Sequence, residues 1–295
     1  MKKFLTLALT AVMALSLLTA CGSKNDNSAD TNTDGSNTET TLSGTVSTDG
    51  STSMEKVINS LGESFMAMNK DVKFTYNPTG SGSGIQAVSE GRCDIGLSSR
   101  ALKDDEKASG LVETVVALDG IAIVVNPENP VSDLDIDTIA KIYTGEITNW
   151  KDVGGPDEEI LLVSREAGSG TRGAFEEICK LTEKNADGNE VSLVDESKAI
   201  IADSTNAVST TVSTKKNAIG YISLGSYDSS LVTALDVDSV ACTQENIVAG
   251  TYSIARPFLL ISGPATDDVA KAFLGYAMSA EGQAVVAEHK YIPVA

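Results

Sequence analysis

The sequence predicts an α/β fold arranged in two lobes, and three observations carry that expectation. From Gly44 onward, short β-rich runs alternate with helical patterns, the signature of an α/β architecture built on mostly parallel sheets. Small-residue clusters rich in Gly, Ser and Thr fall where a predicted strand hands over to a predicted helix. The chain from about Ser43 to Ala295 is long enough for two lobes of roughly 100 to 150 residues each.

In chain order, the first element is an export signal over residues 1–20. Lys2 and Lys3 give a positive start, and Phe4 to Ala20 is an apolar run without charge. The run falls short of the roughly 20 or more apolar residues a stable span prefers. It ends in Leu18-Thr19-Ala20-Cys21, a leucine and small residues before a cysteine, which is a lipobox. Cleavage before Cys21 and diacylglycerol on its sulfur leave the chain anchored to the extracytoplasmic face of the cell membrane rather than spanning it; an ordinary cleaved signal with a coincidental cysteine is the plainer alternative. Residues 21–42 are almost entirely Ser, Thr, Asn, Asp and Gly and read as a flexible tether, with a mean reach of roughly 25 Å.

The expected strands are Gly44 to Thr48, Val72 to Tyr76, Asp94 to Leu97, Ile121 to Val125, Ile160 to Ser164, Ala218 to Ile222 and Pro257 to Ile261. Between them, Met54, Val57, Ile58, Leu61 and Phe65 fall at helical spacing, with Ser51 or Thr52 in front as cap. Ile136, Ile139 and Tyr143 mark a second helix. Thr266, Asp267 and Asp268 open a third, whose stripe is Val269, Phe273, Tyr276 and Ala277. These stripes are core packing.

Charge narrows the function. The chain has 22 basic and 41 acidic residues, a net charge of −19; losing residues 1–20 removes two lysines and no acid, which gives −21. Such a surface argues against nucleic acid and gives no long-range steering to an anionic ligand, so any bound anion must be held by local donors. Cys93, Cys179 and Cys242 are odd in number and lack metal-ligand spacing, and they read as small core residues; a bridged pair stays open.

Three clusters can supply donors: Asp49 to Ser53, Thr79 to Gly84, and Arg165 to Thr171. A helix start leaves backbone N–H groups without partners and carries partial positive charge, so glycine that admits an oxyanion and hydroxyls that donate to it make a site. Arg165 adds a full charge whose planar guanidinium gives two parallel hydrogen bonds to one oxyanion. In open α/β sheets ligands collect beyond the carboxyl ends of strands, so turns of one polarity can converge. Gly168, Gly170 and Gly173 also fit a dinucleotide fingerprint, but a free anion uses the same helix-start physics and an exported lipoprotein has little access to nicotinamide cofactor. Ala174 stands where a Walker A lysine belongs, no Ser lies in G-x-S-x-G, and His289 is the only histidine. No catalytic set, metal site or cofactor is expected.

At these residues the sequence resembles the PstS family, the phosphate-binding subunit of the phosphate ABC transporter. The anchors are Gly50-Ser51-Thr52, Thr79 through Gly84, Asp94 through Arg100, Ile142 through Trp150, Arg165 through Thr171, and Ala218 through Tyr221, six motifs in order. The resemblance implies a two-lobed, type II periplasmic-binding-protein-like fold, each lobe a mixed sheet flanked by helices. Lobe one takes residues 43–126 and 246–295, and lobe two takes 127–245. It implies a monomeric binding protein, not an enzyme, that encloses inorganic phosphate between the lobes and delivers it to the permease subunits and their ATPase.

Residue by residue, the carried-over phosphate site comprises Ser51, Thr52 through its hydroxyl, Ser53 through its N–H, Ser81, Ser99, Arg165, Ser169, Gly170 and Thr171. The better-known members have an aspartate at the position of Ser99, where it accepts the proton that phosphate carries and sulfate lacks. A serine both accepts and donates, so the penalty against sulfate shrinks unless Asp49 or Glu166 takes over. Ala167 replaces a further acid often found beside the arginine. Arg100 is either added charge or a surface neighbour. Sulfate, molybdate and tungstate are the alternative ligands.

Overall fold

The computed structural model describes residues 42–187 and 190–294. The expected signal, Cys21 and all but the last residue of the tether lie outside the described residues.

Along the chain, strand β1 (Ser43–Gly50) leads into helix α1 (Glu55–Met68), β2 (Asp71–Pro78) into α2 (Ser81–Ser89), and β3 (Ile95–Ser98) into the short α3 (Asp104–Ala108). The long β4 (Val112–Val125) and the short β5 (Asp133–Leu134) precede α4 (Ile136–Tyr143). Next come β6 (Leu161–Arg165) with α5 (Gly170–Ile178), a small hairpin of β7 (Thr182–Lys184) and β8 (Glu190–Ser192), and β9 (Ala199–Ala202) with α6 (Thr205–Thr214). The chain closes with β10 (Ala218–Ser223), β11 (Thr233–Ala234), β12 (Asp236–Val237), α7 (Gln244–Val248), β13 (Ala255–Ser262), α8 (Asp268–Ala277) and α9 (Ala280–Glu288).

The main sheet has the order β2-β1-β3-β13-β4-β10-β6-β9. Pairing is parallel at both ends, where β1 joins β2 and β3, and β6 joins β10 and β9. It is antiparallel in the middle, around β4 and β13. The mostly parallel sheet expected from strand–helix alternation is therefore a mixed one, because β4 joins the two groups by antiparallel pairing with β13 on one side and β10 on the other. Residues 112–120 of β4 pair with β13, and residues 121–125 pair with β10.

Both faces are covered, so these strands read as continuous apolar runs rather than alternating ones. Phe258 and Leu260 of β13 pack with Val57, Ile58, Leu61 and Phe65 of α1, while Leu259 and Ile261 face Ile85 and Val88 of α2. In the other group, Ile121, Ile123 and Val125 join Tyr143, Trp150 and Phe175, whereas Ala122 and Val124 meet Val208 and Val212 of α6. Ile247, Tyr252 and Ile254 belong to the core of Tyr143 and Phe175. Each buried Leu, Ile or Phe is worth about 1.5–3 kcal/mol of removed apolar surface.

One expected cap differs. Neither Ser51 nor Thr52 caps α1, whose N-cap is Met54. The third expected helix, α8, is capped by Asp267, which accepts from Ala270 N, and the Thr266 hydroxyl donates to the Asp94 carbonyl. Among the described residues no helix is long and apolar enough to cross a membrane. Cys93 and Cys179 are buried, Cys242 is half-buried, and none of the three is bridged.

Candidate functional site

The β1–α1 turn is held from behind. Tyr76 donates to the Ser51 carbonyl at 2.9 Å and Tyr291 to the Ser53 carbonyl at 3.0 Å. Burial pushes both phenols well up from their ordinary range, so they stay donors. With its carbonyls tied back, the turn presents hydroxyls and N–H groups forward. The Ser51 hydroxyl, unused as a cap, donates to Ser99 Oγ at 2.9 Å, and Ser99 Oγ lies 3.2 Å from Ser81 Oγ. Helix α2 starts on Gly80, whose positive φ of 96° suits glycine. A Cβ on Gly84 would collide with the backbone of Asp49 and Gly50, so glycine there lets α2 seat directly on the end of β1.

From the other group of strands, Arg165 ends β6. The hydroxyl of Tyr221, stacked on Phe175 with ring centroids 4.2 Å apart, accepts from Arg165 N at 3.1 Å. The guanidinium of Arg172 donates to the Arg165 carbonyl at 2.9 Å. The Arg165 side chain is thereby aimed by groups on both sides of its backbone. One Nη donates to Thr52 Oγ1 at 3.2 Å and the other to Thr205 Oγ1 at 3.3 Å. Nε and one Nη also grip Glu166, each at 2.8 Å.

The two sides meet through hydroxyls. Ser53 Oγ lies 2.7 Å from Thr171 Oγ1 and 3.0 Å from Thr205 Oγ1. Gly82 N donates to the Gly168 carbonyl at 2.9 Å. Gly170 is so close to Ser81 and Ser99 that a Cβ there would lie 2.8 Å from Ser99 Oγ. Ser169 is the N-cap of α5, its Oγ accepting from Arg172 N at 3.2 Å. All nine residues expected at the site, Ser51, Thr52, Ser53, Ser81, Ser99, Arg165, Ser169, Gly170 and Thr171, are buried in one contiguous polar cluster.

Thr205 was not among them. It stands at the start of α6, just after β9, behind the N-cap Ser204. The strand–hydroxyl–helix pattern is the same as in the other clusters but lacks glycine, and that is the signal that could have found it. The two acids considered as substitutes for aspartate at 99 are occupied. Asp49 accepts from Asn77 at 2.7 Å and from the Thr79 hydroxyl, and Glu166 is bound to Arg165. Arg100 is paired twice with Glu106, each contact at 2.8 Å, which takes up its charge.

Chemically, the cluster is a set of neutral donors around one cation. A hydroxyl that accepts from a guanidinium still has its own hydrogen to give, so Thr52 and Thr205 can relay positive character to an oxyanion. The start of α2 and that of α5 add N–H groups and dipole ends. Among the described residues no group of three or more His, Cys, Asp and Glu is placed to hold a metal ion.

Helix starts converge between two groups of strands, and residues 35–281 match the family model of the PBP superfamily domain. The phosphate-binding protein PstS of Bacillus subtilis is 35% identical over 297 residues, covering 99% of this chain and 95% of that protein. A candidate phosphate ABC-transporter substrate-binding protein from Clostridium perfringens, solved with bound phosphate, superposes with a TM-score of 0.80 at 40% identity, over 85% of this chain and all of that one. An ABC-type phosphate transport receptor from Vibrio cholerae gives 0.70 at 35% identity, again over 85% and 100%. The chain belongs to the PstS family of phosphate-binding proteins.

Proposed function

We propose that this protein captures inorganic phosphate in the Arg165 cluster and delivers it to the permease subunits of an ABC importer. The observation that carries the reading is the pair of contacts from Arg165 to Thr52 and Thr205, which draws hydroxyls of separate elements onto one guanidinium. Bound phosphate exchanges the hydroxyl–hydroxyl contacts of Ser53, Thr171, Ser81 and Ser99 for contacts to its own oxygens, with Ser51, Ser169 and Gly170 completing the enclosure. The names of the relatives support phosphate as the ion and import as the purpose. The role is binding and release, not catalysis.

Two lobes hinged at β4 and β13 are part of the same reading. Packing of Ile121, Ile123, Ile247, Tyr252 and Ile254 with the Tyr143 core supports a crossing near Gly120 and Ala255, rather than at Asn126 and Asn246. Closure changes the shape presented to a permease, so occupancy can be sensed before transport. The protein acts as a monomer on the extracytoplasmic face of the membrane, tethered through residues 21–42 and lipid on Cys21.

A second reading keeps the class and changes the ion to sulfate, molybdate or tungstate. It is favoured by Ser99, whose hydroxyl neighbours are the hydroxyls of Ser51 and Ser81. Calorimetric titration with phosphate and then sulfate decides between them. Phosphate is expected to bind more tightly; tighter sulfate would overturn the assignment.

A further inference from the structure

Beneath Ser99, where β4 and β13 run side by side, lies an ion pair with no role in the site described above. Asp119 and Arg256 are register partners on these strands. Arg256 donates to Asp119 Oδ2 from Nε at 3.2 Å and from one Nη at 3.0 Å. The other carboxylate oxygen accepts the Ser223 hydroxyl, at the end of β10, at 2.8 Å. The second Nη of Arg256 donates to the carbonyl of Ser99 at 3.4 Å. A single buried unit therefore touches the anion cluster, both crossing strands and β10.

A buried ion pair is a weak stabiliser, because desolvating two charges cancels most of their attraction, and apolar residues of similar volume often serve a core equally well. Its connections here are specific. The Ser99 peptide follows the end of β3, and the contact of Arg256 to its carbonyl restrains the backbone that carries the Ser99 hydroxyl, which lies beside those of Ser51 and Ser81. Serine has only one rotatable hydroxyl, so its usefulness to a ligand oxygen depends on the backbone that carries it.

We propose that Arg256, held by Asp119, is a positioning residue of the anion site that fixes the Ser99 peptide and ties its setting to β10 through Ser223. This rests on the reading that the Ser99 hydroxyl faces the bound anion. The role lies in the orientation of Ser99, and neither Arg256 nor Asp119 touches the ligand.

The test is a double-mutant cycle measured by phosphate and sulfate calorimetry, with urea unfolding alongside. Ser99→Ala alone should weaken phosphate binding; unchanged affinity would overturn the site reading and this inference with it. The apolar pair Asp119→Leu/Arg256→Met should keep its urea midpoint yet weaken phosphate binding about tenfold, a mid-range value for coupled neighbours, and narrow the phosphate-to-sulfate ratio. Added to Ser99→Ala, the pair should cost nothing more. An additive loss, or none in the pair alone, would sink the inference while leaving the site reading intact. Ser223→Ala, a small change that spares the ion pair, gives a second arm should the apolar pair not fold. It should weaken phosphate about threefold in the parent and not at all in Ser99→Ala, and equal effects in both backgrounds would overturn the coupling.

Discussion

Arg165 and Arg256 are equally buried, with 1% of each side chain exposed, but their acids are not. Asp119, the partner of Arg256, is fully enclosed, whereas Glu166, the partner of Arg165, is 29% exposed. Inside, the Asp119–Arg256 pair is electrically closed. Burial pushes the Asp119 carboxyl up from its ordinary range and the Arg256 guanidinium down, each opposed by the charge of the other. Water reaches Glu166 and weakens its hold on the Arg165 charge, while Thr52 and Thr205, which accept from the same guanidinium, still have hydroxyl hydrogens to give. Burial of an arginine is thus not by itself the mark of a binding site; on the proposed reading, the exposure of the counter-charge separates the structural guanidinium of Arg256 from the ligand-binding one of Arg165.

Four substitutions sharpen or break that contrast. The largest effect should come from Asp119→Ala, which strands Arg256 without a partner and should lower the unfolding free energy by about 3–5 kcal/mol in urea titration. A loss under 1 kcal/mol would mean that the pair is not the closed unit described. Arg165→Ala should act mainly on binding, weakening phosphate by about 2–4 kcal/mol in calorimetry, with a smaller shift of urea midpoint than Asp119→Ala. If it binds phosphate as tightly as the parent, the contrast between the two arginines fails.

Gly170→Ala should weaken phosphate binding by about 1–3 kcal/mol, because its methyl would press on Ser81 and Ser99 and hold the two sides apart. Small-angle scattering with saturating phosphate should show a wider particle than the parent. The smallest change is Glu166→Gln, which removes the screened counter-charge of Arg165. Affinity should rise, by no more than about 1 kcal/mol or roughly fivefold, since a partly exposed pair is weak. A large fall in affinity would show that Glu166 is structurally as important to its arginine as Asp119 is to Arg256.

Much of the candidate site was legible in the sequence because its logic is local. Ser51 to Ser53, Ser81 and Arg165 to Thr171 each sit at a strand-to-helix turn, and the chemistry of such a turn is written in a few consecutive residues. Thr205 has the same setting but follows Ser204 rather than glycine, so a search keyed on glycine passed it over. The first half of β4, Val112 to Gly120, was also missed: Glu113 and Asp119 interrupt its apolar run, and pairing with β13 outweighs that local pattern.

The amino-acid order alone determined the alternation of strands and helices, the turns that bear hydroxyls and the guanidinium among them, because periodicity and helix-start chemistry act over a few residues. Only the tertiary structure decided which charges are neutralised. Asp119 and Arg256 stand 137 positions apart and read as unrelated polar residues. Strand register is a long-range property, set by packing on both faces of the sheet, and it brought Arg256 to a buried acid, whereas Arg165 has its acid as its own chain neighbour and the fold decided only that water reaches it.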